Sequence, residues 1–137
     1  MLVPVPESDR AAAGAVQVAC GSEHTLVLTG AGRVYAMGAN NYGQLGVGDK
    51  AYSAVAVRVN TLDPLRIAAV RAGQHSGALT EEGHLYLWGS GPFGELRLPT
   101  KFAPEDPRGA RITDFQIGGT CACLIDEEGE VYSWGNN

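Results

Sequence analysis

The stretch CGSEHTLVLTGAGRVYAMGANNYGQLG, residues 20–46, is spoken again further along the chain. It returns as AGQHSGALTEEGHLYLWGSGPFGEL at 72–96 and as GGTCACLIDEEGEVYSWGNN at 118–137. The turn glycines Gly32, Gly83 and Gly129 fix the alignment. They are followed by Val34-Tyr35, Leu85-Tyr86 and Val131-Tyr132, then by Met37-Gly38, Trp88-Gly89 and Trp134-Gly135. The period is roughly 45–50 residues, the length of a solenoid unit or a propeller blade. Residues that recur in every copy are first of all residues that build the copy.

Within a copy the pattern is strand, strand, turn, strand. In the first copy, residues 16–20, 24–29 and 33–37 are short runs rich in Val, Leu, Thr and Tyr, bounded by glycine. Residues 54–59, AVAVRV, offer a fourth strand. No run of ten or more residues combines a 3.6-residue apolar period with a cap, so helix is at most a minor component. The tips Glu81-Glu82-Gly83 and Glu127-Glu128-Gly129 read as type I turns closed by a left-handed glycine. Their paired glutamates are solvated turn residues rather than a catalytic pair. In Leu85-Tyr86-Leu87-Trp88 both faces of one strand are apolar, so both should be covered, as in radially stacked sheets.

Composition bounds the function. The chain has 137 residues, 45% of them hydrophobic, and a net charge of −5 with ten scattered basic residues. No basic stripe favours nucleic acid, and no polybasic run favours an anionic membrane. No apolar stretch approaches the roughly 20 residues of a membrane span, and the first ten residues lack the pattern of a signal peptide. Cys20, Cys121 and Cys123 are an odd set without zinc spacing. They read as buried small apolar thiols in a reducing, intracellular compartment.

The string Val16, Cys20-Gly21, His24-Thr25, Leu28-Thr29, Gly32, Val34-Tyr35, Gly38, Asn40 and Gly43-Gln44-Leu45-Gly46 resembles the repeat of the regulator of chromosome condensation. The resemblance covers residues 16–137 and implies an all-β fold, a β-propeller whose blades each have four antiparallel strands. About three blades are expected here, an incomplete ring: a lead-in at 1–15, then copies at 16–66, 67–111 and a truncated 112–137. The copies depart from the pattern in order. The second ends Gly94-Glu95-Leu96-Arg97, and the third has Cys121 at the histidine position.

The chemical motifs weigh lightly. His24 and His75 hold equivalent strand positions and read as satisfied structural histidines, with no carboxylate recurring beside them. Ser76 follows His75, but adjacent strand residues face opposite ways, and no Gly-x-Ser-x-Gly elbow is present. Gly89 to Gly94 spells G-x-G-x-x-G, yet Pro92 removes an N–H and no helix follows, so a dinucleotide site is not expected. No cofactor and no metal are expected.

The copies differ most at 40–49, 91–97 and 100–108, and loops on a rigid scaffold commonly carry recognition. Asn40, Asn41, Tyr42, Phe93 and Glu95 are therefore the candidate partner-binding residues. Tyr42 and Phe93 are aromatics in matching positions, with packing between blades as the competing reading. The resemblance implies a non-catalytic protein–protein interaction platform with protein partners. The alternative is a guanine-nucleotide exchange factor for a small GTPase. Two and a half blades leave sheet edges and apolar faces open, to be completed by further chain, another subunit or a large assembly.

Overall fold

The computed structural model describes residues 14–48, 52–91, 94–102, 109–119 and 121–135. Eleven β-strands run through these residues: β1 Ala15–Cys20, β2 His24–Thr29, β3 Val34–Ala39, β4 Tyr52–Arg58, β5 Ile67–Ala72, β6 His75–Thr80, β7 Leu85–Gly91, β8 Gly94–Phe102, β9 Ile112–Ile117, β10 Cys121–Asp126 and β11 Val131–Gly135. The one helical element among the described residues is a 3-10 turn, Asn60–Leu62. The strands form three antiparallel meanders, β1-β2-β3-β4, β5-β6-β7-β8 and a three-stranded β9-β10-β11. None of the three sheets closes on itself.

The expected turns do the expected work. Gly32, Gly83 and Gly129 sit at φ +80, +88 and +83, where a side chain would be strained. Each turn is also tied by a side chain. The Thr29 and Thr80 hydroxyls accept the Arg33 and His84 backbone N–H at 3.3 and 3.0 Å. In the third sheet Asp126 takes the same position and accepts from Glu128 and Glu130 at 2.9 and 3.0 Å. The turns also link the sheets. The Gly32 carbonyl accepts from Ile67 N–H at 3.1 Å, and the Gly83 carbonyl accepts from Ile112 N–H at 3.0 Å.

The sheets stack face to face with β1, β5 and β9 side by side. One apolar cluster, including Leu26, Leu28, Val34, Val70 and Trp88, fills the space between the first and second sheets. A second, including Leu79, Leu85, Leu87, Phe115 and Leu124, fills the space between the second and third. Trp88 serves the first cluster and Leu85 and Leu87 the second, so both faces of β7 are covered, as its sequence requires. Burying a side chain of this size stabilises by about 1.5–3 kcal/mol.

Three expectations need correction. The cysteines are exposed, not buried. Cys121 and Cys123 do share one face of β10, but that face looks away from the second sheet, and Cys20 lies on the face of β1 that looks away from it too. Gly91 and residues 94–97 and 100–102 are strand, not loop. In the second sheet β7 runs to Gly91 and β8 begins at Gly94, a tight hairpin where the first sheet has a long connection. The histidines, finally, are only half satisfied, as the joint between the sheets shows.

Candidate functional site

The segment after β3 leaves its own sheet and lies against the next one. Asn40 starts it: its Oδ1 accepts the Leu45 N–H at 3.0 Å and its Nδ2 donates to the Gly48 carbonyl at 3.1 Å. The Gln44 side chain closes the inner turn by accepting the Tyr42 N–H at 2.9 Å. Gly43 and Gly46, at φ +81 and +71, let the backbone fold back. A Cβ on Gly46 would stand 2.9 Å from Trp88 Nε1, and one on Gly43 would stand 2.6 Å from Arg97 Cα, so no larger residue fits. Leu45 is thereby driven wholly inside.

The Gln44 carbonyl is the hub of this latch. It accepts the Trp88 indole N–H at 2.8 Å and the Ser76 hydroxyl at 2.8 Å. Ser76 Oγ lies 2.7 Å from His24 Nε2. Because the serine proton goes to the carbonyl, the imidazole must donate its Nε2–H to Oγ. That assigns the tautomer from the network and leaves Nδ1 with its lone pair, buried and without a hydrogen-bond partner among the described residues. Protonation would place a charge there. Burial, and secondarily the neighbouring His75, push the His24 pKa down to about 4. The pair cannot work as base and nucleophile: His24 offers Oγ no lone pair, and Ser76 has no exposed surface.

The second joint is built differently. Register places Ala122 where the second sheet has Ser76, since β6 pairs His75 with Gly89 and β10 pairs Cys121 with Gly135. No hydroxyl stands there for His75, whose Nε2 is buried and lacks a hydrogen-bond partner among the described residues. Burial lowers its pKa as well. Close backbone approaches between sheets are made by glycines at one register position. A Cβ on Gly21 would lie 2.6 Å from the Gly73 carbonyl oxygen, and one on Gly73 would lie 2.2 Å from that of Gly118.

The candidate contact residues separate at this joint. Asn40 is buried and holds the latch together, so its side chain is not on the surface. Asn41 and Tyr42 are exposed at the outer end of the latch, Tyr42 by 52%. Glu95, on β8, pairs with Arg97 at 2.5 Å, and Arg97 reaches back to the Asn41 carbonyl at 3.4 Å. The Arg97 carbonyl accepts the Gly48 N–H at 3.3 Å. Asn41, Tyr42, Glu95 and Arg97 thus form one rim built from two sheets. Phe93 lies outside the described residues. Sequence reading missed Arg97, Ser76 and the Gln44 carbonyl; the Gly-Gln-Leu-Gly string was the available signal for the latch. No group of three or more metal-ligating side chains occurs among the described residues.

Radially stacked antiparallel sheets with strands in sequence order, joined through repeated turns and glycines, are a sector of a β-propeller. The particular kind of blade is the RCC1 repeat: two models of the regulator of chromosome condensation (RCC1) repeat match residues 15–44 and 31–79, so the chain carries RCC1 repeats there. It is 35% identical over 126 residues to the ultraviolet-B receptor UVR8 of Arabidopsis thaliana, covering 87% of this chain and 29% of that protein. It is 30% identical over 134 residues to the human X-linked retinitis pigmentosa GTPase regulator, covering 89% of this chain and 13% of that protein. Among solved structures, human WBSCR16 superposes with a TM-score of 0.82 at 26% identity, over 90% of this chain and 33% of that one. The chain spans a third or less of each.

Proposed function

We propose that this chain is a non-catalytic protein-interaction platform whose contact surface is the rim of Asn41, Tyr42, Glu95 and Arg97. The supporting observation is Tyr42, an exposed aromatic on a segment whose next four residues are buried. A rigidly held tyrosine gives a partner apolar area at little entropic cost, and the flanking amide, carboxylate and guanidinium give it hydrogen bonds. The open sheet faces are completed by further propeller sheets. A photoreactive residue at Tyr42 tests the platform: it should capture a defined partner polypeptide from cell extract, while the same residue at Glu82, exposed on the opposite rim, should not. Equal capture at both positions would refute the contact surface.

A second reading is nucleotide exchange on a small GTPase, favoured by one relative's name as a GTPase regulator. Accelerated release of labelled GDP from purified small GTPases at micromolar chain would support it. Unchanged release rates would sink it for this chain.

A further inference from the structure

The outer face of the first sheet is covered in one place, although no sheet among the described residues lies on it. One row of paired residues runs straight across that face, Val18 opposite Val27 and Val27 opposite Tyr35. Val27 is 7% exposed and Tyr35 3%, while Val18, at the end of the same row, is 59% exposed. The described neighbours packed on Val27 and Tyr35 are Met37 and Ala56, which belong to the same sheet. Side chains that stand beside a tyrosine ring leave its outward surface to water. Burial this complete requires chain lying on top.

The equivalent rows show what a whole sheet does in that place. They are Val70, Ala78 and Tyr86 on the second sheet and Phe115, Leu124 and Tyr132 on the third. The first sheet lies on the second and buries Val70 to 1%, with Tyr86 half-buried. The cover on the first sheet has the opposite profile. It hides the tyrosine of β3 and leaves the valine of β1 bare. It is therefore narrow, centred on β2 and β3.

Residues 1–13, MLVPVPESDRAAA, lie outside the described residues and lead into this sheet at Gly14. We infer that residues 2–6 are the cover, a strap laid across β2 and β3 over Val27 and Tyr35. Of the segments outside the described residues, this one carries a group of large aliphatic side chains, Leu2, Val3 and Val5. Residues 49–51 also join the first sheet, but they only bridge Gly48 to Tyr52, and the Gly48 N–H is held by Arg97 on the second sheet. Pro4 and Pro6 have a fixed φ and no N–H, so residues 2–6 cannot extend the ladder as another strand. They suit a polyproline II segment lying on side chains, about 12 Å long at about 3.1 Å per residue. That exceeds the roughly 10 Å that two strand spacings occupy. The tether also reaches. The Gly14 carbonyl accepts the Gly30 N–H at 3.0 Å, which fixes the start at the corner of β1 and β2. Residues 7–13 extend to about 23 Å, and β3 lies two spacings, about 10 Å, from β1.

The strap takes the row that joins sheets elsewhere in the fold. A further sheet laid here as the first is laid on the second needs the same row, so strap and sheet exclude each other. The strap itself follows from burial; only this exclusion rests on the reading that further sheets complete the open faces.

NMR of the unsubstituted chain tests the strap directly. With the Tyr35 ring assigned through Tyr35→Phe, its protons should show nuclear Overhauser contacts to methyls of Leu2, Val3 or Val5, and these should persist on dilution. A soluble paramagnetic agent should broaden the ring of Tyr52, which is 62% exposed, and spare that of Tyr35. The double substitution Val3→Asp/Val5→Asp should remove the contacts and raise the broadening of Tyr35 severalfold, with the amides of β6 and β7 still protected. The control Ala11→Asp/Ala12→Asp, in the tether, should leave Tyr35 shielded. A Tyr35 ring as open as that of Tyr52 in the unsubstituted chain overturns the strap. So does a ring shielded by residues other than 1–6, or by contacts that vanish on dilution. Each of these results concerns the strap alone and leaves completion by further sheets standing.

Discussion

Replacing Ser76 by alanine isolates what one hydroxyl does at the first joint. The hydroxyl is fully buried and stands 2.7 Å from His24 Nε2 and 2.8 Å from the Gln44 carbonyl. The carbonyl keeps the Trp88 indole at 2.8 Å, so it is not stranded. The imidazole N–H is stranded, because Ser76 Oγ is its one acceptor among the described residues. A buried donor left without an acceptor costs about 1–3 kcal/mol, and a lost net hydrogen bond about 1 kcal/mol. The expected destabilisation is therefore about 2–4 kcal/mol. Urea unfolding at fixed protein concentration and neutral pH reads it as a midpoint lowered by about 1 M or more, for a slope near 2 kcal/mol per molar. The partner substitution His24→Leu completes a double-mutant cycle, with an expected coupling of at least about 0.5 kcal/mol. A Ser76→Ala chain within about 0.5 kcal/mol of the parent, or a cycle with no coupling, would refute the network as drawn.

The second joint supplies the reverse experiment. Ala122→Ser should give His75 the partner that His24 already has and raise stability by about 1 kcal/mol, read as an increase in urea midpoint; a loss would show that the two joints are not equivalent. Acid should weaken the fold through His24. Its folded pKa of about 4 lies below the ordinary 6.5, so the unfolded chain binds the proton first. This contribution is whole above pH 6.5 and is lost as pH falls toward 4; at about 1.4 kcal/mol per pKa unit it amounts to about 3 kcal/mol. His24→Leu should flatten that slope in urea titrations across the same window. Gly73→Ala drives a Cβ to 2.2 Å from the Gly118 carbonyl oxygen, whereas a Cβ on Gly119 meets nothing within 4 Å. The first should cost about 1–3 kcal/mol in thermal or urea unfolding and the second almost nothing.

Much of the fold was legible because it is written locally. Gly32, Gly83 and Gly129 announce turns by a backbone need, and Leu85 to Trp88 announces two covered faces by composition alone. What the repeat conceals is which copy touches which. Ser76 was read against His75, its chain neighbour, and correctly set on the other face; its true partner His24 is 52 residues away, across a joint that exists only once sheets stack. The cysteines were misread for a related reason. A strand pattern tells which residues share a face, but burial also depends on a neighbouring sheet, and Cys20, Cys121 and Cys123 lie on the two faces that have none among the described residues. The candidate rim divided in the same way. Asn41, Tyr42 and Glu95 remain outside, while Asn40 turned inward because an amide there can satisfy both the Leu45 N–H and the Gly48 carbonyl.

The latch that joins the first sheet to the second is the centre of this account, and the Trp88 indole proton reports on it directly. Hydrogen exchange followed by NMR, with the resonance assigned through Trp88→Phe, measures how often that proton is freed. Held by the Gln44 carbonyl beneath Leu45, it should exchange only as slowly as the most protected amides of β6 and β7. Exchange at the rate of an exposed tryptophan, while those strand amides stay protected, would show that residues 40–48 do not close the joint.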